Sequence, residues 1–312
     1  MAYYFEVSVF PDKKHYYSIG DSLLFFESET EALHKLSAHT GTGFFISEQG
    51  EIATNRHVVN PDNHADEVRD YFEDFNDYLQ ELIDNEIGSL EYKVDSLKQI
   101  VQIYRSSGYP IENDSILEQI IVLQDSIKGF EKKKDIKFFN TEDFQFQTRV
   151  VYLGISLNNS DIDYQNRLGM FPCSIKKVAT GENVDLAIIQ TDNRTLPSGV
   201  TNIFNLQDVN DSLNMNDELY LIAYNNGDVI AQTQNGIKAQ FTQGTVTQVP
   251  DSERILYSIP ALPGSSGGPV IDKNGKLAAI NYAGYGSQSF NKGIPVKALK
   301  DLYYNNNMRI VN

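Results

Sequence analysis

The chain has 312 residues, 41% of them hydrophobic and 22% charged, with a formal net charge of −16 at pH 7. That length supports one large or two ordinary domains with a sizeable core. The acidic balance argues against nucleic-acid binding, which needs Lys and Arg surfaces. No apolar run reaches the roughly 18 residues that a bilayer span requires, so no membrane role is expected. The single cysteine, Cys173, excludes an intramolecular disulfide and fits a reducing cytoplasm. Residues Met1 to Phe10 lack a basic region, a long apolar run and a small-residue cleavage site, so no secretory signal is expected.

Residues 1–36 are rich in Tyr and Phe and fit a strand, a lid or an interface equally well. From Ser37 to Val59 the chain turns to short runs of β-formers, such as Gly43-Phe44-Phe45-Ile46-Ser47. The composition then breaks. Residues 62–140 hold 18 Asp/Glu against 9 Lys/Arg, leaving −9 of the −16, with glycine only at Gly88, Gly108 and Gly129. Apolar residues recur there at Val68, Phe72, Phe75, Leu79 and Leu82, and after a slip from Ile83 through Ile87, Leu90, Val94, Leu97 and Val101 to Tyr104. A second series runs Ile116, Ile120, Leu123, Ile127, Phe130. Alternating steps of three and four are the seam of two packed helices. The breaker cluster Ser106-Ser107-Gly108-Tyr109-Pro110 separates them, Asn113 or Asp114 offers a cap, and Lys132 to Lys134 reads as a solvated helix end. A long antiparallel helical hairpin is predicted, serving as internal packing or as a docking arm for a regulatory protein partner.

From Phe144 onward short strand-like runs return, among them Arg149–Leu153, Asp185–Ile189, Glu218–Ile222 and Lys276–Ile280, before a terminal helix over Pro295–Tyr304. Many short strands at turn spacing indicate barrels or a sandwich.

Three elements could carry chemistry. The strongest is Pro263-Gly264-Ser265-Ser266-Gly267-Gly268-Pro269. A nucleophilic serine needs a tight turn, and flanking glycines accept backbone angles that side chains forbid. The Gly264 and Ser266 amides could then form an oxyanion hole. A serine hydroxyl also needs a base. Of His15, His34, His39, His57 and His64, only His57 follows a strand-like run and precedes Val58-Val59; the other four are expected at the surface. The base needs an anion to fix its tautomer. Asp185 opens the otherwise apolar run Leu186-Ala187-Ile188-Ile189, where a charge is costly unless paired.

In that order these elements resemble the trypsin-like (chymotrypsin-fold) serine peptidases, closest to the bacterial branch that includes the HtrA (Deg) proteases. The resemblance rests on Gly41-Thr42-Gly43-Phe44-Phe45-Ile46-Ser47, Thr54-Asn55-Arg56-His57-Val58-Val59, Asp185–Ile189, Pro263–Pro269, Asn274–Asn281 and Lys292-Gly293-Ile294-Pro295-Val296, covering roughly residues 37–60 and 144–304. It implies a mainly β chain: a double β-barrel with the site between the barrels, the helical hairpin inserted in the first, and a C-terminal helix. The expected division is an N-terminal segment 1–36, a first barrel from 37–61 and 141–195, the hairpin 62–140, and a second barrel with its helix from 196–312.

The resemblance assigns His57 as general base, Asp185 as its orienter and Ser266 as nucleophile. It implies a protein or peptide substrate cut through an acyl-enzyme, with no cofactor and no metal, and activity falling at acid pH as His57 protonates. Three departures stand out. Ser265 replaces the aspartate that pairs with a new N-terminus in digestive members; the insertion leaves the chain just after His57; and no PDZ-like module is expected after the protease. The substrate-binding floor falls on Pro260, with Ala261 and Leu262 beside it, and walls from Tyr282, Ala283 and Gly284 toward Gly286. No acid stands at the floor, so a neutral or apolar residue is expected before the scissile bond. An esterase using the same triad, or a non-catalytic protein-binding scaffold, is the alternative.

Overall fold

The computed structural model describes residues 1–10, 13–19, 23–36, 39–60, 64–108, 114–134, 136–163, 166–181, 184–284 and 290–305. Its elements in chain order are β1 (Ala2–Phe10), β2 (Lys13–Ile19), β3 (Leu23–Phe26), α1 (Glu29–His34), β4 (Phe44–Phe45), β5 (Glu51–Thr54), α2 (Arg56–Val59), α3 (His64–Ser106) and α4 (Asp114–Glu131). There follow β6 (Gln145–Tyr152), β7 (Gly154–Ile155), β8 (Phe171–Val178), β9 (Ala187–Thr191), β10 (Glu218–Ala223), α5 (Gly227–Ile230), β11 (Gln232–Thr233), β12 (Gly236–Ile237) and β13 (Gln240–Thr245). The chain ends with β14 (Ile255–Tyr257), β15 (Pro269–Asp272), β16 (Leu277–Gly284), β17 (Asn291–Pro295) and α6 (Val296–Tyr304). The fold is mainly β, with two curled sheets consistent with a chymotrypsin-like double barrel, long helices inserted early and a C-terminal helix.

Two compact units emerge: Met1–Val7 with Lys14–Asn63 and Gln147–Asn312, and Ser8–Lys13 with His64–Phe146. The larger unit holds both curled sheets. The first runs β4-β5-β9-β8-β7 and the second β13-β10-β15-β16-β17-β14. Strand β9 is the hinge of the first because it is buried on both faces. Ala187 and Ile189 point into the sheet's own core with Ile52, Val59 and Cys173. Ile188 and the preceding Leu186 face a core shared with Phe44, Ile280, Leu299 and Leu302. Period-two alternation in an unbroken apolar run thus serves two cores at once. The second sheet wraps Leu219, Leu221, Val246, Tyr257, Ile259 and Val270.

The N-terminal residues form strands. Together with β6 they make a four-stranded sheet, β3-β2-β1-β6, with a small core of Tyr4, Phe26 and Ala32 against which Val151 packs. Strand β6 lies inside the stretch 141–195 allotted to the first barrel, yet it pairs with β1 rather than with the five-stranded sheet. His39, expected at the surface, stacks its ring on Tyr3 at 4.6 Å.

The smaller unit is the helical hairpin. Helix α3 runs unbroken for 43 residues, so the one-residue slip in its apolar series does not end the helix. The seam meets as its spacing predicts over part of its length: Val94, Val101 and Ile120 are buried, with Leu97, Ile116, Leu123 and Ile127 packed on them. Phe75, Leu82 and Tyr104, expected in the same seam, are exposed instead, because a 3-4 repeat drifts around a helix of about 3.6 residues per turn. Lys134 pairs with Asp84 at 2.8 Å, both half exposed. Asp114 opens α4, while Tyr109 to Asn113, including the candidate cap Asn113, lie outside the described residues.

Candidate active site

His57 sits in the single turn α2 that follows β5, rather than on the strand itself. Asp185 lies just ahead of β9, and β5 and β9 pair antiparallel with Thr54 opposite Ala187. Register therefore brings the two residues together. The Asp185 Oδ1 accepts the His57 backbone N–H at 2.9 Å, and Oδ2 forms a short hydrogen bond with His57 Nδ1. A carboxylate can only accept from Nδ1–H, which leaves Nε2 of the neutral ring as a base. Asp185 is buried, and its main-chain carbonyl is held as well, by Asn55 Nδ2 at 2.8 Å and Arg56 N at 3.3 Å. The Arg56 guanidinium lies 3.9 Å from Oδ1 while its Nη1 donates to the Ala179 carbonyl at 3.0 Å. A cation beside a buried carboxylate offsets part of its desolvation.

Ser266 lies on a turn entering β15. Leu262-Pro263-Gly264-Ser265 closes with Ser265 N–H donating to the Leu262 carbonyl at 3.0 Å, and Gly264 has φ +90°. Proline second, glycine third and a positive φ at the third place define a type II turn. This turn type sets the Pro263–Gly264 peptide. Its carbonyl points out to the Asn226 N–H, 2.5 Å away, so its own N–H faces the opposite side. Among the described residues, the amides of Ser265, Gly267 and Gly268 all donate within the protein, and those of Gly264 and Ser266 do not. Two adjacent uncommitted donors are what an oxyanion requires. A side chain at Gly264 would place its Cβ 2.5 Å from the Tyr224 carbonyl oxygen, and one at Gly267, with φ +85°, 2.2 Å from that of Thr42.

The structure brings His57 to Asp185 but leaves Ser266 uncoupled from the ring. The Ser266 hydroxyl donates to the Tyr282 carbonyl at 3.3 Å, and no hydrogen bond to His57 is made. Both residues flank Tyr282, whose ring meets that of His57 edge-on at 6.1 Å.

The remaining candidates fall on two sides. Pro260 accepts from Thr242 Oγ1 at 3.0 Å, Ala261 packs on the second-sheet core, and Leu262 is exposed. Ala283 and Gly284 lie on β16 opposite Lys292 and Asn291 of β17. Lys292 Nζ stands 4.3 Å over the Tyr282 ring. The rest of the expected wall, Tyr285 and Gly286, lies outside the described residues.

Three supporting groups escaped the sequence reading. Thr42 laces the two sheets together: its N–H donates to the Ser266 carbonyl at 2.8 Å, its hydroxyl donates to the Gly264 carbonyl at 2.8 Å, and its carbonyl accepts from Thr54 Oγ1 at 2.8 Å. Asn281 and Tyr257 form a buried chain beneath the serine turn. Tyr257 donates to Asn281 Oδ1 at 2.7 Å, and Asn281 Nδ2 donates to the Ser265 carbonyl and hydroxyl, each at 3.1 Å. Burial pushes the Tyr257 phenol well above its ordinary range, keeping it a neutral donor. Ser265 thus anchors the turn through neutral hydrogen bonds, where digestive members of the resembled family use an ion pair. Cys173, buried on β8, takes no part. Burial and the Asp192 charge push its thiol up to about 12, against the smaller lowering effect of a hydrogen bond from the Ile155 backbone.

No curated protein matches the sequence. The family model of the trypsin-like peptidase domain does, over residues 147–280, a stretch that carries Asp185, the serine turn and most of the second sheet and is thereby similar to a serine peptidase.

Proposed function

We propose that this protein is a serine endopeptidase with His57, Asp185 and Ser266 as its catalytic triad. One observation carries the reading: a buried carboxylate fixes the His57 tautomer beside a type II turn that leaves two amide donors uncommitted. Rotation about the Ser266 Cα–Cβ bond moves its hydroxyl from the Tyr282 carbonyl toward Nε2, and such contacts commonly tighten only with substrate present. Nε2 takes the hydroxyl proton as Oγ attacks the carbonyl carbon. The Gly264 and Ser266 amides receive the oxyanion, and the imidazolium protonates the leaving amine. Water then cleaves the acyl-enzyme by the same steps. The side chains near the acyl side include no acid among Pro260, Ala261, Leu262 and Tyr282, so a neutral or apolar residue precedes the scissile bond.

The motifs shared with the HtrA (Deg) branch favour that branch within the family. An intracellular setting accords with one buried, unreactive thiol. No helix of the described residues is long and apolar enough to cross a membrane.

The hairpin is read as a docking and gating arm. Tyr71, Phe75, Tyr78 and Leu82 stand exposed along α3 in steps of four, three and four. Each follows an acid, Asp70, Asp74, Asp77 and Glu81. An apolar stripe beside an acidic column suits an amphipathic, basic segment of a protein partner.

Labelling with a fluorophosphonate probe tests the proposal. The wild type is expected to label and the Ser266→Ala variant to lose labelling entirely. Removing residues 62–140 from a folded variant is expected to change the labelling rate if the arm gates the site. Labelling that survives Ser266→Ala would refute the assignment.

A further inference from the structure

We infer that a cavity in the first sheet's interior is the binding site for a bulky apolar residue on the leaving-group side of the substrate; this rests on the proposed hydrolase reading. The cavity measures about 700 Å³. Protein interiors hold few voids larger than a water molecule, whereas ligand pockets run roughly 300–1,000 Å³. Its lining includes the apolar Phe45, Ile52, Leu153 and Ile155 of the first sheet, and also Val58 and Gly264.

The space exists because the five-stranded sheet ends on two-residue strands, β4 and β7. Among the described strands these two remain unpaired edges, so the five do not form the closed barrel of about eight strands whose interior side chains just fill.

Two of the lining residues fix which end of a substrate enters. Gly264 carries one of the two free amides, so the scissile carbonyl lies next to it. Val58 directly follows His57, the group that hands its proton to the departing amine. A cavity bordered by both lies on the departing side. Pro260, Ala261 and Leu262, which serve the acyl side, are absent from its lining. The occupant is therefore the residue after the scissile bond or its neighbour, and its side chain is large and apolar.

Acyl transfer reads this preference directly. An N-acetyl-leucine 4-nitrophenyl ester acylates Ser266 Oγ and expels 4-nitrophenol. An added amino-acid amide then competes with water. Its nitrogen forms a bond to the acyl carbon, its proton passes to His57 Nε2, the Oγ–carbon bond breaks, and that proton returns to Oγ. The products are a dipeptide amide and free enzyme. Phenylalaninamide and leucinamide are expected to capture the acyl group at least about tenfold better than glycinamide, since one well-buried side chain is worth roughly that factor or more. Ile155→Trp, which fills the cavity from β7, is expected to bring the three amides within about twofold of one another while capture by glycinamide, which puts no side chain in the cavity, is unchanged. The wild-type comparison needs no variant, so it stands even if Ile155→Trp fails to fold. Equal capture by the wild type, or an unchanged preference in a normally hydrolysing Ile155→Trp, overturns this inference and leaves the hydrolase reading intact. Absence of both ester turnover and fluorophosphonate labelling overturns the two together.

Discussion

The two curled sheets differ in how they end. The second closes on itself: beyond β13, Val246 bridges Tyr257 of β14, the Thr247 N–H donates to the Leu256 carbonyl at 2.9 Å, and the Ser258 N–H donates to that of Thr245 at 3.0 Å. Its core residues Leu219, Leu221, Tyr257, Ile259 and Val270 are fully shielded from water. The first sheet stops at β4 and β7 and keeps a large void beside residues that are only partly covered, such as Phe45 and Ile155. The serine turn is built on the closed sheet and the histidine on the open one. Rigidity is thus placed under the serine turn proposed to carry the nucleophile and the oxyanion donors, where a small misplacement would be costly. The open space lies where the leaving-group site is proposed.

That contrast can be broken by truncation. Leu221→Ala, in the closed core, is expected to cost about 2–5 kcal/mol because the filled surroundings cannot collapse onto the gap. Ile155→Ala, beside existing empty space, is expected to cost less than half as much. Equal shifts in denaturant midpoint would show that the two interiors are alike. Tyr257→Phe strips the donor from Asn281 Oδ1 and should cost about 1–3 kcal/mol, the penalty of a buried unpaired acceptor. If the chain beneath Ser265 positions the turn, kcat falls with KM little changed; a loss of stability alone would assign Tyr257 to packing.

The smallest effect concerns the open sheet's anchorage to the C-terminal helix. Glu51 of β5 binds Lys176 and accepts from the Tyr303 hydroxyl at 3.0 Å. Burial pushes its carboxyl up, but hydrogen bonds from Lys176, Ser47 and Tyr303 outweigh it and hold the group below its ordinary 4.5. A depressed folded-state value stabilises above 4.5, and that contribution disappears as the pH falls through the lower value. Glu51→Gln is therefore expected to lower stability at neutral pH and to converge with the wild type as the pH falls through the lowered value, as urea titrations across the acid range would record. A constant offset at every pH would exclude this linkage.

Much of this architecture could be read from residue patterns. The 3-4 apolar spacing from Val68 to Tyr104 required a long helix whatever its surroundings, and Pro263-Gly264 prescribed one turn type by local sterics. The proximity of His57 and Asp185 was implied by the resemblance to trypsin-like peptidases; the residues themselves showed only that each stands at the end of a strand-like run. What stayed hidden depends on register across distant strands. Nothing local marks Thr42 as the lace between sheets, or Asn281 as the partner of both Tyr257 and Ser265, until β15 and β16 are aligned. The pairing of β6 with β1 was likewise a choice among several strands of similar composition. The cavity reflects how short β4 and β7 are, and strand ends are the least predictable feature of a sequence.

The seclusion of Cys173 has a practical corollary. With the sole thiol shut away and its proton tightly held, thiol-directed reagents should leave the native protein untouched. A cysteine introduced at the exposed Tyr92 on the hairpin would then be the one attachment point for a spin label or dye, giving a background-free reporter of how the arm behaves while substrate turns over.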